Sequence, residues 1–92
     1  MLLNIHPALL PKYKGEQAVA DALEAGEAVT GTTIHIATEE LDAGPIVEQA
    51  EVPVLPEDTV ATLHERIKQI ERPLYAQVLA EILTGERQLP SQ

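Results

Sequence analysis

Asn4-Ile5-His6-Pro7-Ala8-Leu9-Leu10-Pro11 is the stretch whose reading decides how this chain folds. Side chains alternate across a strand, so Asn4 and His6 project from one face of a short apolar strand while Ile5 packs behind them. Pro7 lacks a backbone donor and turns the chain out of the sheet. Two hydrogen-bonding side chains at the end of a strand, followed at once by a Pro-rich turn, describe a site at a sheet edge. A strand terminus carrying two satisfied polar residues fits the same pattern.

Working outward, residues 1–5 read as a strand that begins with the first residue. Residues 15–26 read as a short helix: Ala18, Val19, Ala22 and Leu23 form one apolar stripe, Glu16, Asp21 and Glu24 face water, and Gly26 ends it. Lys12 and Lys14 sit in the preceding turn. Residues 30–38 are a strand with Thr32, Ile34 and Ile36 on one face and Thr33, His35 and Ala37 on the other. Residues 39–45 are a loop broken by Gly44-Pro45. Residues 46–55 are a third strand of imperfect alternation, placed at an edge by Pro53 and Pro56.

Asp58 or Thr59 then caps a long helix in which Val60, Leu63, Ile67, Ile70, Leu74, Val78 and Ile82 recur every three or four residues. Pro73 lies inside that stripe and predicts a kink or break. Gly85 ends the helix, and residues 89–92 form a frayed tail. The expected fold class is α/β: a partial sheet of about three strands with one short and one long helix, as a single domain over residues 1–92. There is no internal repeat and no linker.

Composition narrows the partners. Fifteen acidic residues against six basic ones give a formal charge of −9. That argues against a nucleic-acid backbone or an anionic membrane as the main partner. There is no cysteine, which removes disulfides and thiolate metal sites. No signal peptide or membrane-spanning run appears, so the expected location is the cytoplasm. With Tyr13 and Tyr75 the only aromatic residues, the core must be built from Leu, Ile, Val and Ala. A domain this small buries only about 60 to 65 per cent of its unfolded surface. His6, His35, Asp42 and His64 can be combined into a metal site on paper. No pair of them has the i, i+3 or i+4 helical spacing of strong zinc motifs, and no metal is expected. A nucleophilic triad has no cysteine to use, and the sole serine is Ser91 in the tail.

Three motifs occur in order: residues 4–15 (NIHPALLPKYKG), Gly31-Thr32-Thr33-Ile34-His35, and Leu41-Asp42-Ala43-Gly44-Pro45-Ile46-Val47. On these the chain resembles the glycinamide ribonucleotide formyltransferase family, from Leu2 to Pro90, and resembles only its C-terminal half. The resemblance implies that the N-terminal nucleotide-binding half is absent, and with it the strands that would flank the first strand here. It implies formyl transfer from 10-formyltetrahydrofolate, as co-substrate, to glycinamide ribonucleotide. Asn4, His6 and Asp42 match the family's catalytic trio. Leu3, Glu40, Leu41, Asp42 and Gly44 would belong to the folate pocket, and Glu71 would meet the amine substrate's ribose. His35, with Thr33 on the same face, would support the aspartate or its water. For His35 a half-buried ring satisfied by the backbone fits equally, and for Glu71 a solvated helix position.

The chemistry suits these residue types. In acyl transfer, charge builds on the formyl oxygen and the amine must lose a proton. The Asn4 amide and a His6 imidazolium are donors for that oxygen. Asp42 beside the ring keeps it charged and relays the proton. The chain departs from the family at Lys14, Glu16-Gln17 and Lys68. Its glycines, at 15, 26, 31, 44 and 85 only, form no phosphate cradle. The isolated chain is therefore expected to be inactive alone. A non-catalytic remnant or assembly module of the same fold is the alternative. A formyltransferase or deformylase with another acceptor is the third reading. Unpaired strand edges predict a homodimer or higher oligomer.

Overall fold

A computed structural model describes residues 2–89 of the chain. What was expected of Met1 and of residues 90–92, Ser91 included, lies outside the described residues. The elements run β1 (Leu3–His6), α1 (Ala18–Glu24), β2 (Val29–Ile36), β3 (Ile46–Pro53) and α2 (Val60–Thr84). This is the α/β arrangement read from the sequence, with strand and helix ends shifted by no more than three residues.

The three strands form one sheet in the order β1-β2-β3, and both pairings are antiparallel. β1 begins at Leu3 and includes His6, not residues 1–5 as expected. Its pairing sets Asn4 opposite His35 and His6 opposite Thr33. Across β2, Thr33 stands opposite Gln49. Residues directly opposite share a face of the sheet. Asn4, His6, Thr33, His35 and Gln49 therefore lie together on one face, and Leu3, Ile5, Thr32, Ile34, Ile36, Ala50 and Val52 on the other.

The apolar face carries the helices. Val19, Val52, Leu63 and Ile67 form the core cluster, with Leu23, Val54 and Ile70 packed against it. Burial of side chains of this kind stabilises by about 1.5–3 kcal/mol each. α1 ends in a paired backbone motif: Gly26 N–H bonds the Leu23 carbonyl and Glu27 N–H the Ala22 carbonyl, with Gly26 at a positive φ of 73°. Only glycine enters that conformation without a steric penalty. α2 begins at a capping box of Thr59 and Thr62 and ends at Gly85, also left-handed.

Pro73 does not break α2, which is continuous from Val60 to Thr84. Pro73 is exposed, so water can meet the Gln69 carbonyl that it leaves without a partner. Leu63 and Ile67 before it, and Val78 after it, are fully buried and hold both halves of the helix down.

The two outer edges of the sheet differ. On β3, Arg87 donates to the Val47 carbonyl at 3.1 Å and Arg66 to the Pro53 carbonyl at 3.1 Å. Val47 is the extra residue of a bulge, since Ile34 faces Glu48 while His35 faces Ile46. On β1, Ala37 N–H bonds the Leu2 carbonyl. Hydrogen-bonding residues alternate along an antiparallel pair. The main-chain groups of Leu3 and Ile5 therefore point away from β2, toward an open edge.

Candidate active site

The polar face is roofed by two loops. Residues 7–15 leave β1 and cross β2, and residues 37–45 connect β2 to β3. Leu9 lies over Gly31, where any Cβ would strike its side chain and the Ala50 carbonyl. Gly44 lies against the backbone of Ile36, and a Cβ there would fall on the Ile36 carbonyl. Both glycines are present because backbone comes too close for a side chain. Gly44 thereby fixes how the second loop hangs over the sheet, and so where Asp42 stands.

His6 and Asp42 meet beneath this roof. Nδ1 of His6 lies 3.3 Å from Asp42 Oδ2, with both side chains 6% exposed. On the other side of the ring, His6 Nε2–H donates to the Tyr13 carbonyl at 2.7 Å. A carbonyl only accepts, so Nε2 carries its proton toward Tyr13 and Nδ1 is the nitrogen turned to the carboxylate. Asp42 Oδ2 also accepts from Gly15 N–H at 3.0 Å. The tip of the first loop thus touches both members of the pair. Tyr13 and Asp42 are the only non-glycine residues at positive φ among the described residues, at 54° and 52°. Such strain persists where the surroundings over-determine it, and it gathers at functional sites.

His35 completes the group. It is 1% exposed. Its Nδ1–H donates to the Ile36 carbonyl at 3.2 Å. Its Nε2 lies 3.7 Å from Asp42 Oδ1 and is a buried polar atom without a hydrogen-bond partner. Both readings of His35 are thus present in one residue: one nitrogen is satisfied by backbone and the other faces the carboxylate. An unsatisfied buried nitrogen fits a position where a further donor joins.

The other residues singled out in the sequence distribute as follows. Asn4 is exposed and stands on the same face, opposite His35. Thr33 stands opposite His6 but makes no hydrogen bond to the His6–Asp42 pair. Its hydroxyl donates to the Ala8 carbonyl at 2.7 Å and accepts from Leu10 N–H at 3.1 Å, holding the first loop. Leu3 faces the helical side, away from His6. Glu40 and Leu41 are exposed on the second loop, and Gly44 is buried there. Glu71 lies on α2 behind the sheet, where it accepts from the Thr32 hydroxyl at 3.4 Å. His64 is on α2 as well. Among the described residues no group of three or more His, Asp or Glu side chains is placed to hold a metal ion.

A cleft of about 260 Å³ opens between the loops, lined by Leu10, Pro11, Lys14, Asp42, Ala43, Gly44 and Ile46. A larger hollow of about 500 Å³ at Leu55, Pro56, Asp58 and Arg66 lies away from these histidines. There Arg66 holds Asp58 through two hydrogen bonds of 2.7 and 2.9 Å, and Glu57 also lines the hollow. On the outer side of the first loop, Lys12 bonds Glu27 at 3.1 Å. Lys12, with the Tyr13 phenol, holds the Glu27 carboxyl below its ordinary range. Burial, reinforced by Glu27, pushes the Tyr13 phenol up.

Comparison with known proteins follows the same residues. A family model described as formyl transferase matches residues 1–79. The chain belongs to the formyl transferase family. Within that family it is 51% identical over 82 residues to phosphoribosylglycinamide formyltransferase of Mycobacterium tuberculosis (strain CDC 1551 / Oshkosh), covering 89% of this chain and 38% of that one. It is 49% identical over 88 residues to the human trifunctional purine biosynthetic protein adenosine-3, covering 96% of this chain and 9% of that one. Among solved family members, the crystal structure of phosphoribosylglycinamide formyltransferase from Anaplasma phagocytophilum superposes with a TM-score of 0.90 at 44% identity, over 97% of this chain and 44% of that chain. The chain thus spans less than half the length of these relatives. No helix among the described residues is long and apolar enough to cross a membrane.

Three residues of the site and its loops escape the sequence reading. Tyr13 and Gly15 act through main-chain atoms, which carry no signature of residue type; the non-glycine φ at Tyr13 has none either. Gln49 reads as one more polar position on an edge strand.

Proposed function

We propose that this chain supplies the formyl-activating half of a cytoplasmic, folate-dependent formyltransferase. The formyl group of 10-formyltetrahydrofolate would pass to the primary amine of glycinamide ribonucleotide. The observation that carries this reading is the His6–Asp42 contact at 3.3 Å, in a shielded cleft on the face that also bears Asn4. The amine nitrogen attacks the formyl carbon, and charge collects on the formyl oxygen. The bond to the folate nitrogen then breaks, and that nitrogen leaves with a proton as tetrahydrofolate. The Asn4 amide and His6 Nε2–H are the donors for the oxyanion. The Tyr13 carbonyl, 2.7 Å from Nε2, marks where the formyl oxygen would accept once the loop tip withdraws. Asp42, with the free Nε2 of His35 beside it, receives the proton lost by the amine. The cleft between the loops would take the folate's ring end, with Glu40 and Leu41 at its rim. Glu71 belongs to the amine substrate's side only if the rest of the fold brings the ribose behind the sheet.

The test follows folate product by absorbance with both substrates, first for the chain alone and then with the N-terminal half of a related enzyme. Turnover only in the mixture supports the proposal. No turnover in a mixture shown to associate would favour a remnant without catalysis. The open edge of β1 is where we expect the complementing half, or a second copy of this chain, to pair.

A further inference from the structure

We propose that Gln49 is a positioning residue for the His6–Asp42 pair, acting through the base of the loop whose tip bonds both side chains. Gln49 Nε2 donates to the Leu10 carbonyl at 2.9 Å and to the Thr33 hydroxyl at 2.9 Å. The same hydroxyl bonds Ala8 and Leu10. Residues 8–10 are therefore pinned to β2 and β3 by one connected set of four hydrogen bonds. Three to five residues past Leu10, the loop's tip holds His6 through the Tyr13 carbonyl and Asp42 through Gly15 N–H.

The direction of control follows from burial and chemistry. Thr33 is fully buried, and its oxygen has a single proton, already given to Ala8. The Leu10 carbonyl, turned toward the sheet, depends on Gln49 for a side-chain donor. Replacing that amide with an apolar side chain leaves the carbonyl facing a group that cannot donate, which favours turning the loop toward water. Among the described residues the tip is attached by its two site bonds and by Lys12 and Tyr13 to Glu27, so it follows the base. In the reaction the base stays and the tip exchanges with substrate. Gln49 thus limits how far the tip withdraws. The inference rests on the formyl-transfer reading for what the pair does, and its test needs no substrate.

Two nuclear magnetic resonance signals report the tip directly: the ring Nε2–H of His6, sheltered by the Tyr13 carbonyl, and the exchange rate of the Gly15 amide. In Gln49→Leu the ring proton is expected to be lost to exchange, and Gly15 exchange to rise about tenfold or more. The amides of Leu63 and Ile67 in α2 should keep their rates. Gln49→Glu, of the same size, removes the donor and turns an acceptor toward the Leu10 carbonyl. It should behave as Gln49→Leu does and serves if the leucine variant fails to fold. Thr33→Ser keeps the hydroxyl and should leave both signals in place. Unchanged ring and Gly15 signals in either Gln49 variant, even with a lower Tm, would assign Gln49 to stability alone and overturn the proposal.

Discussion

At the scale of single residues, the site is a histidine between two acceptors. If His6 donates to the formyl oxygen and Asp42 takes the proton, each should matter to kcat in the completed enzyme. His6→Ala and Asp42→Asn are each expected to lower it by about 10²–10⁴, measured by folate product release. Unchanged turnover in His6→Ala would remove its assigned role. Gly44→Ala tests position rather than chemistry. Its new methyl falls on the Ile36 carbonyl, and the loop must move to admit it. A loss of about 1–3 kcal/mol is expected in urea unfolding. The candidate residues were legible in the sequence because a strand has period two: Asn4 with His6, and Thr33 with His35, had to share faces. That the two faces are one face depended on register, which pairs Asn4 with His35 and is set by no short motif. Leu3 illustrates the same rule in the other direction, since it alternates away from the site.

At the scale of elements, the long helix shows local preference overridden by packing. Pro73 predicts a kink or a break; the helix does not break, and buried residues on both sides keep it whole. The strain remains as a local cost. Pro73→Ala restores a backbone donor toward Gln69 at an exposed position and should stabilise the chain by about 1–3 kcal/mol. A thermal melt with no rise in Tm would mean that the proline costs nothing where it stands. Capping residues and terminal glycines were readable, because Thr59, Gly26 and Gly85 each satisfy a geometric need that few residue types meet. The direction of pairing between β1 and β2 was not, since the resemblance places β1 inside a larger sheet and says nothing of its antiparallel neighbour.

At the scale of the whole molecule, three of the six basic side chains of an acidic chain, Lys12, Arg66 and Arg87, are paired with carboxylates. Arg66 and the Leu55 backbone N–H hold the Asp58 carboxyl well below the usual carboxylate range, and Arg87 does the same, less strongly, for Glu81. Both carboxyls have folded-state values below the unfolded ones. The stability they contribute is present above the unfolded carboxylate value of about 4 and is lost as pH falls through the folded values. Tm should therefore drop on acidification below about pH 4, and the drop should be shallower in Asp58→Asn. An identical acid profile in that variant would show that Asp58 is not one of the groups responsible. The same arginines bear on assembly. They bond two outer carbonyls of β3, those of Val47 and Pro53, while the main-chain groups of Leu3 and Ile5 on β1 point outward with no partner among the described residues. The outer edge of β3 is thus held near its two ends, and that of β1 is the more open of the two. Two copies joined at β1 by a twofold axis would use up that edge in both, so association through it closes at a pair. A complementing half and a second copy would then be rivals for one seat, and raising the concentration of one should empty it of the other.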